Sequence, residues 1–391
     1  MTTISRLEPV FPEEGRKDLE DLATDLVAKS SALAGKLPPV LRASMGDLVR
    51  SMNCYYSNLI EGHNTYPVDI DRALAGDLDQ DQEKRNLQLE AKAHIEVQRM
   101  IDFGEAPSPT VSSDFILWVH REFCQRMPED LLWVESPDTK ERIKVVPGGL
   151  RDRHVKVGRH IPPDPDELKA FLARFVEAYT AKHLSKLRKI IGVAAAHHRL
   201  LWIHPFLDGN GRVTRLFSHA WLRELEVGSE LWSVSRGLAR NDAEYKSRLI
   251  AADEPRRGDL DGRGNLSQTT LTEFCRFFLS TCVDQLTFME SLLEPSALLN
   301  RIQIWAEEEL RAKRIPRGSW PLLREAVLAG EFPRGRAPEL TGYEERQART
   351  VLNNLIDAGY LVSETTRSNV RLGLPIKVVD RWFPRLYVVA A

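Results

Sequence analysis

The sequence predicts a mainly α-helical protein with a small β-hairpin near its middle and a distinct C-terminal module. Three observations point there. Apolar residues recur at helical spacing over most of Lys17–Ala312. Alternation of apolar and polar residues around glycines occurs in one place, residues 142–163. Proline and glycine punctuation becomes dense from about residue 313 onward.

The elements follow in order. Leu19, Leu22, Leu26 and Leu33 give residues 17–35 one apolar stripe, and Leu41, Met45, Leu48, Met52, Tyr55 and Leu59 do the same for 40–61. Residues 84–103 and 112–126 read as two further helices. Arg142-Ile-Lys-Val-Val-Pro-Gly-Gly and His154-Val-Lys-Val-Gly read as a hairpin closed by Pro162-Pro163. Two amphipathic helices joined near Leu184 fill 166–203, another follows Gly211, and 268–312 is helical again.

Composition excludes several classes. The 391 residues carry a net charge of −2, so no global basic field argues for nucleic acid. Cys54, Cys124, Cys275 and Cys282 form no C-x-x-C pair, so a reduced, cytoplasmic protein is the simple expectation. The first residues lack an apolar targeting core, and no apolar run reaches the roughly 18 residues a membrane span needs.

The chemistry concentrates in His204-Pro-Phe-Leu-Asp208-Gly209-Asn210-Gly211-Arg212-Val-Thr-Arg215. Pro205 disfavours helical geometry at His204, so the chain turns there. Gly209 to Gly211 can present consecutive N–H groups as an anion-binding nest, and a helix N-terminus near Arg212 adds partial positive charge. Arg212 and Arg215 lie three apart and project from one side of the first turn. Asp208 offers a hard carboxylate for Mg²⁺, and His204 is the natural base for a hydroxyl proton. His197 and His198 are less suited to shared metal ligation, because adjacent side chains point about 100° apart on a helix. The P-loop pattern is absent.

This segment resembles the Fic-domain signature H-P-F-x-[D/E]-G-N-G-R-x-x-R, and every fixed position matches. The resemblance implies a Fic-type helical core with a small β-hairpin flap, and AMP transfer from ATP to a Ser, Thr or Tyr hydroxyl of a protein. It implies His204 as base, Asp208 as ligand of a Mg²⁺ that accompanies ATP, and Gly209, Asn210 and Gly211 around the phosphates. Arg212 would contact the β-phosphate and Arg215 the γ-phosphate. The flap would be Leu150–Ile161, with Val155, Lys156, Val157 and Gly158 docking the target as an added strand. Tyr245 falls in the segment that family members place near adenine; many carry two tyrosines there, and this chain has Tyr245-Lys246.

Upstream, Ser57 and Glu61 are four apart on one helix face, and Gly62 suits a helix end. Ser-x-x-x-Glu-Gly is similar to the family's inhibitory motif. It implies that Glu61 pairs with Arg215 and occupies the γ-phosphate site.

Residues 315–391 resemble a winged helix-turn-helix, with Thr341 and Glu344 as a capping box and Thr366-Arg-Ser-Asn as the wing tip. Glu344 and Glu345 beside Arg346 and Arg349 make a poor footprint for DNA; the other readings are a scaffold, a homodimer contact or a target recruiter. The expected organisation is an N-terminal helical region at 1–80 with an inhibitory helix at about 45–62, a catalytic core at 81–295, and the winged module at 296–391. The leading expectation is an autoinhibited protein adenylyltransferase with possible self-modification. The alternatives are a DNA-binding regulator that senses nucleotide, and an enzyme of the same fold that transfers another phosphate-containing group.

Overall fold

The computed structural model describes residues 3–136, 140–228 and 230–387. It is mainly helical. The helices are α1 (Lys17–Ala34), α2 (Pro39–Ile60), α3 (Pro67–Leu74), α4 (Gln82–Asp102), α5 (Ser113–Arg126), α6 (Leu168–Tyr179), α7 (Lys186–Ile203) and α8 (Asn210–Glu224). There follow α9 (Val234–Arg240), α10 (Asp242–Ala252), α11 (Gln268–Leu292), α12 (Pro295–Arg311), α13 (Ser319–Leu328), α14 (Ala337–Thr341), α15 (Glu345–Asp357) and α16 (Ile376–Trp382). Among the described residues, no helix is long and apolar enough to cross a membrane.

Contacts divide the chain into two units. The first holds the chain to Ser30, Asn53–Ser229 and Ser233–Gln285; the second holds Ser31–Met52, Glu230–Trp232 and the chain from Leu286.

In the first unit, α7 and α8 pack on each other, with α6 against α7 and with α5 and α4 against α8. Phe217 of α8 sits at the centre, its ring 5.7 Å from Phe175, 5.9 Å from Trp221 and 6.3 Å from Phe115. Gly192 of α7 permits this density, since a Cβ there would lie 2.9 Å from Phe11 and 3.3 Å from Trp221. In the second unit, Trp305 of α12 packs 4.7 Å from Tyr360 and 5.1 Å from Trp382 of α16. Strands β3 (Glu331–Phe332), β4 (Leu361–Val362) and β5 (Val370–Leu372) form an antiparallel sheet in the order β3-β5-β4.

Three local expectations change. The paired hairpin joins β1 (Trp133–Glu135) to β2 (Arg142–Lys144), so Arg142–Lys144 pairs backward and not forward onto residues 154–158. The forward stretch keeps only a tight turn, with Val157 and His160 exchanging N–H···O bonds at 3.0 and 2.9 Å. The reason is Arg151, whose backbone N–H binds Pro205 and whose guanidinium binds His204 and Pro163 carbonyls. That anchors the segment to the end of α7. Thr341 does not cap α15: Gly342, at φ 70°, ends α14, and the Thr341 hydroxyl donates back to the Ala337 carbonyl. The helical stretch 268–312 is two helices, divided where Glu294 caps α12 and Pro295 starts it.

Candidate active site

The loop between α7 and α8 is shaped by two left-handed residues. His204 closes α7 at φ 49°, ψ 63°, where Pro205 forbids another helical residue. Gly209 takes φ 79° and α8 begins at Asn210. The Asn210 amide closes the loop on itself: its Oδ1 accepts the Phe206 N–H at 3.0 Å and its Nδ2 donates to the Phe206 carbonyl at 2.9 Å. Free N–H groups of the first turn of α8 therefore face one recess.

A carboxylate already stands in that recess. Glu61, just past the end of α2, lies so close to the first turn of α8 that a Cβ on Gly211 would collide with its Oε1. Arg215 Nη2 donates to Glu61 Oε1 at 2.6 Å, and Arg215 also binds Ser57 Oγ at 2.8 Å and the Ser57 carbonyl at 3.0 Å. Burial alone would raise the Glu61 pKa, but Arg215 and Arg212 outweigh it and hold the carboxyl below its ordinary value. Glu61 is thus an anion among two guanidiniums and a helix N-terminus.

Arg212 is held separately. It pairs with Glu90 of α4, which is fully buried, and with Asp208 Oδ2 at 3.2 Å, and its guanidinium lies 5.1 Å from the Phe123 ring centroid. Burial pulls its pKa down to about 10, so it stays charged at neutral pH. His63 Nδ1 meets the other Glu90 oxygen at 2.7 Å. Asp208 keeps 44% of its side chain exposed toward the recess, and burial of the loop raises its pKa. Among the described residues no three His, Cys, Asp or Glu side chains converge on a metal site. One open carboxylate beside an anion cradle does fit Mg²⁺, which binds through one or two carboxylates with substrate phosphates and water.

His204 lies near enough to Glu61 to feel its charge. Burial, followed by the nearby charges of Arg151 and His160, pushes its pKa down to about 4. The imidazole is therefore neutral and able to accept a proton at any working pH.

Residues 110–222 match the model of the Fic/DOC family. The chain carries a Fic domain. Curated relatives are similar over this part: Protein adenylyltransferase Fic of Drosophila erecta is 43% identical over 75 residues, 19% of this chain and 15% of the relative. The Drosophila virilis protein is 41% identical over 75 residues, 19% of this chain and 16% of its own. The match thus spans about a sixth of each relative's length. A Fic family protein from Desulfovibrio desulfuricans G20 shares the fold over 90% of this chain and 96% of its own, at TM-score 0.50 and 16% identity. Fic-1 of C. elegans (residues 134–508) does so over 71% and 73%, at TM-score 0.54 and 16% identity.

Within the Fic domain, the structure brings His204, Asp208, Gly209, Gly211, Arg212 and Arg215 to one recess with Ser57 and Glu61. Two residues take other tasks than expected. The Asn210 amide is committed to Phe206 and shapes the loop. Tyr245 is 2% exposed, and its hydroxyl lies 2.7 Å from His197 Nε2 in the core, so in this conformation it cannot stack on a base. His197 Nδ1 meets Ser218 at 2.8 Å, which makes it a core histidine. Val155 is half-buried, while Lys156, Val157 and Gly158 are exposed. An open cavity of about 860 Å³ lies beside them, walled by Val157, Ile161, Trp202, Ile250 and Asp253.

Glu90, His63 and Arg151 were missed from the sequence. Glu90 sits at an ordinary helical position with no motif around it. Arg151 carried a faint sign: an arginine between Gly148-Gly149 and a proline pair, where irregular backbone needs donors.

Proposed function

We propose that this protein transfers AMP from ATP to a hydroxyl of a target protein and that Glu61 restrains it. The observation that carries the proposal is the recess itself. A neutral His204 stands beside a helix N-terminus, flanked by Asp208, Arg212 and Arg215, and that is a site for a polyphosphate next to a base. The adenylyltransferase names of the Drosophila relatives support the same reading.

In this reading the γ-phosphate takes the place of the Glu61 carboxylate on Arg215, and Arg212 serves the β-phosphate. Asp208 would hold Mg²⁺, which neutralises phosphate charge. With Tyr245 buried, the nucleoside goes to the open cavity beside Ile250. The target's backbone aligns along Val155–Gly158, of which Lys156, Val157 and Gly158 are exposed. Its hydroxyl oxygen attacks the α-phosphorus, the bond to the bridging β-phosphate oxygen breaks, pyrophosphate leaves, and His204 takes the hydroxyl proton. Catalysis is then positioning and charge stabilisation.

Inhibition follows from one occupied subsite. A carboxylate bound to Arg215 excludes the γ-phosphate by like charge and by volume, with no large movement of the chain. The C-terminal unit is proposed as a scaffold or recruiter. A gel-shift with genomic DNA, beside a transfer assay, tests the alternative of a DNA-binding regulator.

The deciding experiment is mass spectrometry of cell lysate incubated with Glu61→Gly protein and ATP. AMP adducts on hydroxyl side chains are expected. Adducts of another phosphate-containing group, or none, would overturn the reading.

A further inference from the structure

Helix α5 contributes a fully buried histidine, His120, that touches the phosphate loop in three places. Its ring lies flat on Phe206, with centroids 3.8 Å apart and planes 5° from parallel. Its Nδ1 accepts the Gly148 N–H at 2.9 Å. That acceptor role puts the ring proton on Nε2. The backbone of Asp208 lies near enough to act on the ring, and Nε2 lies 3.4 Å from Cys124 Sγ. Gly209 packs on the same ring: a Cβ there would sit 3.6 Å from His120 Cδ2. Burial holds the pKa at about 4, so the ring carries no charge.

These contacts have a common geometry. Phe206, Asp208 and Gly209 belong to the loop that ends on the α8 N-terminus. Gly148 opens the segment that runs, past the Arg151 clamp, to Val155–Gly158. One imidazole therefore joins the carboxylate-bearing loop to the segment that carries the docking edge. Asn210 grips Phe206 from its backbone side, and His120 grips it from its ring face.

We propose that His120 is a positioning residue: through its bond to Gly148 and its packing on Phe206 and Gly209 it sets the place of the Asp208 carboxylate beside the nucleotide phosphates. This rests on the function proposed above. A flat ring filling the core would explain the stack on Phe206. It would not explain the Nδ1 bond to Gly148, which ties the second segment at the site to the ring on which the first one packs. A misplacement of about 1 Å in such a site costs on the order of 100-fold in rate.

The test separates the bonds from the packing. His120→Phe keeps the flat ring and removes its polar contacts; His120→Gln restores a donor near the Nε2 position. Both are made in the Glu61→Gly protein. ATP affinity is measured by calorimetry with and without Mg²⁺, kcat is measured where transfer occurs, and thermal melting reports folding. In His120→Phe, the gain in ATP affinity that Mg²⁺ brings should fall at least about 5-fold, while Mg²⁺-free affinity stays within about 2-fold. On the scale of the misplacement cost above, kcat should fall about 10- to 100-fold. His120→Gln should recover a large part of both. An unchanged Mg²⁺ gain in folded His120→Phe would overturn the proposal, as would equal losses in Phe and Gln that follow the melting temperature. The calorimetric result stands even if Glu61→Gly transfers nothing, an outcome that would count against the proposed reaction and not against this role of His120.

Discussion

Arg215 Nη2 lies 2.6 Å from Glu61 Oε1, and the arginine is 2% exposed. This pair joins the end of α2 to the first turn of α8. In the function proposed above, it places an internal carboxylate on the guanidinium that would meet the γ-phosphate. The same arginine keeps two contacts to Ser57, so loss of Glu61 does not leave it without acceptors.

Replacing Glu61 with Gly should therefore raise AMP transfer, including self-modification, by at least about 10-fold, in line with the exchange of a like-charge contact for an open subsite. Labelling from radioactive ATP reads it. ATP should also raise the melting temperature of the variant more than that of the wild type, because binding to the folded state stabilises by mass action. Equal labelling of the two proteins would count against the inhibitory role.

His204→Ala in the Glu61→Gly protein should reduce transfer by about 100- to 10,000-fold, the usual range for a positioned base, while ATP still binds. With His204 held near pKa 4, kcat/KM of Glu61→Gly should stay flat as pH falls from 7.5 to about 5.5. An acid limb near the ordinary histidine value would show that the base is another group.

Glu90→Gln removes the buried partner of Arg212 and of His63. Breaking a buried pair from one side typically destabilises by about 3–5 kcal/mol. Chemical denaturation should show a loss of that order, and ATP affinity should change as well, because Arg212 loses its anchor. A variant as stable as wild type would mean that Asp208 alone suffices to hold Arg212.

Acid should weaken the fold through its buried histidines. Burial depresses His94 to about 3, His120 to about 4 and His204 to about 4, and lowers His197 well below its ordinary value. Unfolding lets each take a proton below about pH 6.5, so the unfolded state binds more protons between there and about pH 4. Stability should thus be full above pH 6.5 and fall by up to about 1.4 kcal/mol per pH unit for each histidine on acidification. Melting curves from pH 7.5 to 4.5 check this, and a flat profile would refute it.

The sequence by itself determined the loop from His204 to Arg215. Pro205 after His204 and the glycines around Asn210 dictate a turn followed by a helix start, and both arginines fall on one side of the first turn. Those are local rules, set within a few residues. Ser57 and Glu61 were legible as one helix face for the same reason. Tertiary structure alone decided the partners. Glu61 meets Arg215 across 154 positions of sequence, and Arg212 meets Glu90 across 122. Nothing in the helical pattern of α4 marks Glu90, because a buried carboxylate is tolerated there only once α8 delivers a guanidinium to it. Tyr245 shows the converse. Its position along α10 suited a base-stacking role, but packing turned it inward onto His197. Spacing fixes which side chains share a face; which face is buried, and against what, depends on contacts between elements far apart in the chain.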